Sequence, residues 1–128
     1  MSLRTPLGRV LGLGAARDGT SHWWAERMTA AALVPLGLWF VVSLVALDSP
    51  DYASVVAWVA APTNTVLLVL FAFVSFWHSR LGTRVVVEDY VHSRAARLFG
   101  LVFIDFAHAL LGAVTIIAVL RVSFGAAA

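Results

Sequence analysis

The sequence predicts an all-α integral membrane protein with three transmembrane helices, and three observations carry that prediction. Hydrophobic residues make up 61% of the 128-residue chain. Charged residues make up only 12%, against roughly 25% in soluble domains, and the mean hydropathy is +0.90. The apolar residues also gather into long runs, each able to cross a bilayer as a helix of about 20 residues. A single membrane domain, residues 1–128, is expected, with spans at approximately 24–47, 55–82 and 97–121.

The first run, Met28 to Leu47, is uncharged and rich in Ala, Val and Leu, and Trp23 and Trp24 precede it as interfacial anchors. It closes on "DSPD", residues 48–51, where two acids and Pro50 signal a tight turn between antiparallel helices. The second run, Tyr52 to Trp77, is long enough to cross with tilt, and Pro62 marks either an early kink or the true helix start. The third, Leu98 to Leu120, is apolar except for Asp105 and His108.

Arginine counting sets the orientation. Arg4, Arg9, Arg17 and Arg27 flank the first span, and Arg80, Arg84, Arg94 and Arg97 lie in the 78–97 segment that joins the second and third spans. Three crossings bring both groups to one face, leaving only Arg121 opposite, so the N-terminus and the 78–97 connection are expected in the cytoplasm and the C-terminus in the periplasm. The N-terminal 20 residues hold no compact apolar stretch ending in a cleavage site, which argues against a removable signal peptide.

The chain has no cysteine, which excludes disulfides, thiolate metal sites, iron–sulfur clusters and cysteine nucleophiles within it, so any cofactor ligation falls to histidine. The pI of about 9.9 points to anionic lipid head groups or acidic partners. Nothing in the patterning points to nucleic acid.

Polar side chains at membrane depth cost a few kcal/mol, so each asks for an explanation. His78 follows 26 uncharged residues. As a neutral imidazole it is either an axial ligand to haem iron or a hydrogen-bonding partner of a neighbouring helix. Asp89 and Tyr90 follow it by 11 and 12 residues, about three helical turns. Such a pair suits a quinone carbonyl, with Tyr90 donating a hydrogen bond and Asp89 orienting it or handling protons, and it equally suits an aromatic belt with a solvated acid pair. At the start of the first span, "SHWWAERMTA" sets His22 and Arg27 five residues apart. Arg27 matches a carboxylate such as a haem propionate, or serves as a positive anchor. Asp105 and His108, three apart, share a helix face within reach of each other, and suit an acid–histidine couple, a proton path, a contact to a partner helix or, the reading favoured here, a satisfied structural hydrogen bond.

With these residues in view, the chain resembles the family of hydrophobic membrane anchor subunits of bacterial succinate dehydrogenase. "HSRLGTRVVVEDYV", from His78, is similar to the family's pattern of His, three residues to Gly, then seven further to Asp-Tyr-Val. "RMTAAAL", from Arg27, is similar to its Arg-x-Thr-Ala opening of the first span. The resemblance covers about residues 20–121. It implies that His78 is one axial ligand to a haem b held in a helix bundle shared with a second cytochrome b anchor subunit. It further implies that Tyr90, with Asp89 beside it, contacts ubiquinone, and that Arg27 lies near the propionates. His22 falls one residue closer to the arginine than the family's histidine does. Asp105 and His108 match nothing in the motif.

The function so implied is that of an anchor in the bacterial inner membrane that tethers a flavoprotein and an iron–sulfur subunit, in the tricarboxylic acid cycle and aerobic electron transport. FAD and iron–sulfur clusters would belong to those partners, because this chain has neither cysteines nor a dinucleotide-binding glycine pattern. Alternatives are the anchor of a fumarate reductase or other menaquinone-linked cytochrome b, a small proton-conducting or transport subunit built on Asp105 and His108, and a purely structural assembly subunit.

Overall fold

The computed structural model describes residues 16–125, with side chains from residue 20. Arg4, Arg9 and the Arg17 side chain, used above to orient the chain, lie outside the described residues. Among the described residues four helices follow in order: α1 (Ala16–Val45), α2 (Tyr52–Ala60), α3 (Pro62–Tyr90) and α4 (Arg94–Gly125). Among the described residues three segments are long and apolar enough to cross a membrane, Thr20–Val45, Pro62–Tyr90 and Arg94–Gly125. Among the described residues every regular element is helical.

The expected second span is divided, and proline chemistry explains why. Pro62 has no N–H to give the carbonyl of Trp58, four residues back, so the helix that began at Tyr52 ends and a new one starts with proline in its first turn. Polar side chains take up the freed carbonyls. Asn64 Nδ2 donates to Trp58 O at 2.8 Å, and the Thr65 hydroxyl lies 2.7 Å from Val59 O. The crossing helix therefore starts at Pro62, not near residue 55, and runs on to Tyr90, not 82. At 29 residues it is about 44 Å long, longer than a hydrocarbon core of about 30 Å, so its last turns emerge into the head-group region.

The same continuation redraws the arginine-rich connection. Residues 78–90 are helix, and the link to α4 is only Val91, His92 and Ser93. Arg80 and Arg84 are helical residues, not loop residues.

On the opposite side, Asp51 caps α2 by accepting from Ser54 N at 2.8 Å. That backbone N–H, with hydroxyl contacts from Ser49 and Ser54, holds the Asp51 carboxyl below its ordinary value.

The crossing helices stand in a row. α3 packs against α1 on one flank and α4 on the other, while α1 and α4 do not touch among the described residues. α4 approaches α3 closely at its glycines: a Cβ on Gly112 would meet the Phe76 ring at 3.4 Å and one on Gly100 would meet Val87 at 3.2 Å. α1 is held by aromatic contacts, with Phe40 against Phe71 at 5.1 Å and Trp39 stacked on Trp58 of α2 at 5.9 Å. A hydroxyl pair, Thr65 Oγ1 and Ser123 Oγ at 2.9 Å, joins the start of α3 to the end of α4. The row encloses little: among the described residues no large side chain is fully buried, and many large apolar residues are exposed. Three helices in a row suit a surface of lipid and neighbouring subunits better than a sealed core.

Candidate functional site

α3 presents different chemistry to its two neighbours. On the α1 flank, half-buried His78 reaches across the seam, its Nδ1 3.0 Å from the Thr29 hydroxyl. Thr29 Oγ1 also lies 2.8 Å from Ala25 O and 3.0 Å from Glu26 O. Gly82, one turn beyond His78 and within about 40° of it around the helix, faces open space, for a Cβ there would meet nothing within 4 Å. This stretch of α3 combines an imidazole anchored through one nitrogen with a shallow neighbouring surface.

The α4 flank is charged. Arg80 Nε donates to Asp105 Oδ1 at 2.8 Å, and Arg84 Nη1 donates to both carboxylate oxygens, at 3.0 and 2.8 Å. The three side chains are about one-third exposed. A carboxylate shared by two guanidinium groups is geometrically well matched. Of the readings open for Asp105 and His108, direct pairing is not the one the structure shows. Asp105 is drawn to the two arginines, while His108 has Nδ1 2.9 Å from Ile104 O and Nε2 3.1 Å from Ser79 Oγ. Below this cluster a cleft of about 460 Å³ runs between α3 and α4, lined by Phe73, Phe76 and Trp77, with Arg80, Asp105 and His108 at its polar end.

The other residues singled out from the sequence are spread over both ends of the seam. Asp89 lies about 20° from His78 around α3 and roughly 16 Å further along it, whereas Tyr90 is about 120° away. Tyr90 is 77% exposed at the last position of the helix, and its carbonyl accepts from His92 Nδ1 at 3.1 Å. His22 falls within about 20° of Thr29 on α1, two turns nearer the N-terminus, and is half-buried. Arg27 points elsewhere: it is about 160° from Thr29, with its guanidinium over the Trp23 ring at 5.1 Å. His78, Thr29, His22 and Asp89 thus share the α1–α3 side of the row, and Arg27 and Tyr90 flank it.

Among the described residues, no three His, Asp or Glu side chains gather into a metal cluster. His78 itself is half-buried, tied through one ring nitrogen and next to open space at Gly82.

Residues 1–120 match the family described as the succinate dehydrogenase/fumarate reductase transmembrane subunit. The chain belongs to this family. Similar relatives include the succinate dehydrogenase hydrophobic membrane anchor subunit of Rickettsia bellii (strain RML369-C), 30% identical over 94 residues, covering 73% of this chain and 75% of the relative. The protein of the same name from Paracoccus denitrificans is 30% identical over 102 residues, 77% of this chain and 79% of its own length. The succinate dehydrogenase membrane anchor subunit of Reclinomonas americana is 26% identical over 99 residues, 69% and 76% of the two chains. No solved structure matches the chain. Membership of a succinate dehydrogenase/fumarate reductase family of transmembrane subunits accords with the three crossing helices and the open row, which leaves lateral faces for other subunits.

Two features of the seams were missed from the sequence. Arg80 and Arg84 were counted as loop charges because their partner lies more than 20 positions away. Thr29 was read only as part of a family motif, since a threonine on an apolar helix gives no sign of what its hydroxyl faces.

Proposed function

We propose that this chain is the hydrophobic membrane anchor subunit of a bacterial succinate dehydrogenase, multi-pass in the inner membrane with its N-terminus in the cytoplasm. Its family membership carries the proposal, and the His78 environment supports its haem assignment. In this reading the chain pairs with a second cytochrome b anchor subunit and tethers the iron–sulfur and flavoprotein subunits. The flavoprotein and iron–sulfur partners would supply the chemistry of succinate oxidation and carry its electrons toward ubiquinone, since this chain has no cysteine to hold a cluster.

His78 supplies one axial nitrogen to a haem b shared with the second anchor. The fit rests on a half-buried side chain with one ring nitrogen hydrogen-bonded, as an oriented axial histidine requires. Bound haem supplies a one-electron couple. Arg27, exposed beside Trp23, offers its guanidinium fork to a propionate, with His22 as a further polar contact.

Ubiquinone reduction to the quinol takes two electrons and two protons. Tyr90, at the cytoplasmic end of α3, donates its hydroxyl hydrogen bond to a quinone carbonyl, and Asp89 orients the head group and exchanges protons with water. Exposure of Tyr90 in this chain supports a pocket completed by partner subunits.

The test is to purify the complex through a tag on this chain, identify the copurifying polypeptides and record the reduced-minus-oxidised visible spectrum. A b-type signal with a flavoprotein and an iron–sulfur protein is expected; no haem and no soluble partners would overturn the reading. Within that complex, Tyr90→Phe is expected to lower quinone reduction by about 10- to 100-fold while succinate oxidation by an artificial acceptor persists. Equal loss of both would remove Tyr90 from the quinone site.

A further inference from the structure

Thr29 belongs to "RMTAAAL", yet neither the motif nor the quinone chemistry assigns it a role. Its hydroxyl has one proton to donate and two lone pairs. Within a helix, threonine returns that proton to a carbonyl three or four residues earlier. Here Ala25 O at 2.8 Å and Glu26 O at 3.0 Å are the acceptors. With its proton so committed, the oxygen accepts from its third neighbour, His78 Nδ1 at 3.0 Å.

The consequence is a defined tautomer. A neutral imidazole carries one N–H. If that hydrogen is on Nδ1, Nε2 keeps its lone pair in the ring plane and is the nitrogen able to bind a metal. The opposite arrangement, with Nδ1 accepting from Thr29, would take the hydroxyl proton from its own helix. It would also leave an Nε2–H for which no described residue of this chain is an acceptor.

We propose that Thr29 is the positioning residue of His78: its hydroxyl selects the Nδ1–H tautomer and presents Nε2 as the ligating nitrogen. The proposal rests on the reading of His78 as a haem ligand and adds what makes it one. The oriented hydrogen bond also makes the imidazole a stronger electron donor, which stabilises the oxidised iron and lowers the reduction potential. Thr29 reaches this effect through His78, without touching the haem itself.

The experiment compares Thr29→Ala, Thr29→Val and Thr29→Ser in the assembled complex, with His78→Ala in parallel, by potentiometric titration of the haem and by haem retention. Thr29→Ala and Thr29→Val lack the acceptor. Both are expected to shift the haem to higher potential and to weaken its retention by about 10- to 100-fold, the usual cost of losing an oriented partner behind a metal-binding histidine. Thr29→Ser keeps the hydroxyl and is expected to hold the parent potential, a rescue that packing alone would not produce. Thr29→Val preserves threonine's shape, so the comparison survives if the alanine leaves the seam underpacked. A parent potential in Thr29→Ala and Thr29→Val overturns the proposal, as does a Thr29→Ser shift equal to theirs. If His78→Ala loses the haem while the Thr29 variants stay at the parent potential, the role of Thr29 alone fails. An unchanged haem in His78→Ala would remove the ligand itself, and Thr29's role with it.

Discussion

The two flanks of α3 differ in what they do with polarity. Toward α1 the helix presents a histidine held by the Thr29 hydroxyl and, one turn on, a glycine with open space in front of it. Toward α4 it presents two arginines closed on one carboxylate and a phenylalanine ring against a glycine. His78 and Gly82 lie within about 40° of each other around the helix, and Arg80 and Arg84 lie about 200° and 240° from His78. One flank leaves an imidazole beside open space, and the other fixes the antiparallel α3–α4 hairpin. A charge-assisted clip on the far side of α3 is a physical means of holding the His78 face in place.

The largest expected effect separates the flanks by chemistry. His78→Ala removes the imidazole and leaves the clip intact, so the haem spectrum should disappear while the anchor still inserts and α3 still packs on α4. Visible spectroscopy of the tagged complex, alongside its subunit composition, checks this. A haem spectrum unchanged from the parent would take the functional flank away from His78.

Asp105→Ala is the complementary change and ranks second. It leaves Arg80 and Arg84 facing each other near the membrane boundary with no counter-charge. Because all three groups are about one-third exposed, the arginines can partly recover water, and the cost falls below that of breaking a fully buried pair, at roughly 2–3 kcal/mol. The expected outcome is a lower thermal stability of the complex in detergent with the haem bands kept in the material that remains folded. Adding Arg84→Gln should recover part of the loss, since it removes an unpaired charge. If the haem bands shifted before stability fell, the clip would be acting on the cofactor flank rather than on the hairpin.

What could be read from the sequence follows from the range of the forces involved. The three spans were visible because burial in lipid needs only composition and length, which are local. The start of α3 was half visible: Pro62 was recognised as a possible beginning, but the capture of Trp58 O by Asn64 and of Val59 O by Thr65 depends on how the chain turns there. His78, Asp89 and His22 were singled out as costly polar residues on apolar helices, and they share one side of the row. The Asp105 partners are not legible for a different reason. The pairing spans 21 and 25 positions, and a nearby histidine three residues away was the more obvious neighbour. Thr29 was the least visible, since its value depends on a side chain 49 positions distant.

The smallest expected effects come from the two glycines that face these flanks, and they sharpen the contrast because the same methyl group is added to each. In Gly112→Ala the new carbon meets the Phe76 ring at 3.4 to 3.5 Å, an ordinary van der Waals contact. Alanine also favours the helix by up to about 1 kcal/mol over glycine, so the stability of the hairpin should change by no more than about 0.5 kcal/mol in either direction. In Gly82→Ala the new carbon meets nothing within 4 Å in this chain, and the isolated helix should be no less stable. If the open space in front of Gly82 receives the edge of a flat macrocycle held by His78, that methyl group falls where the ring must approach. The haem-to-flavin ratio of the purified complex should then drop for Gly82→Ala and stay at the parent value for Gly112→Ala. Equal ratios in the two variants would mean that the open space beside His78 belongs to lipid or to a partner helix, and the asymmetry of α3 would rest on His78 and Thr29 alone.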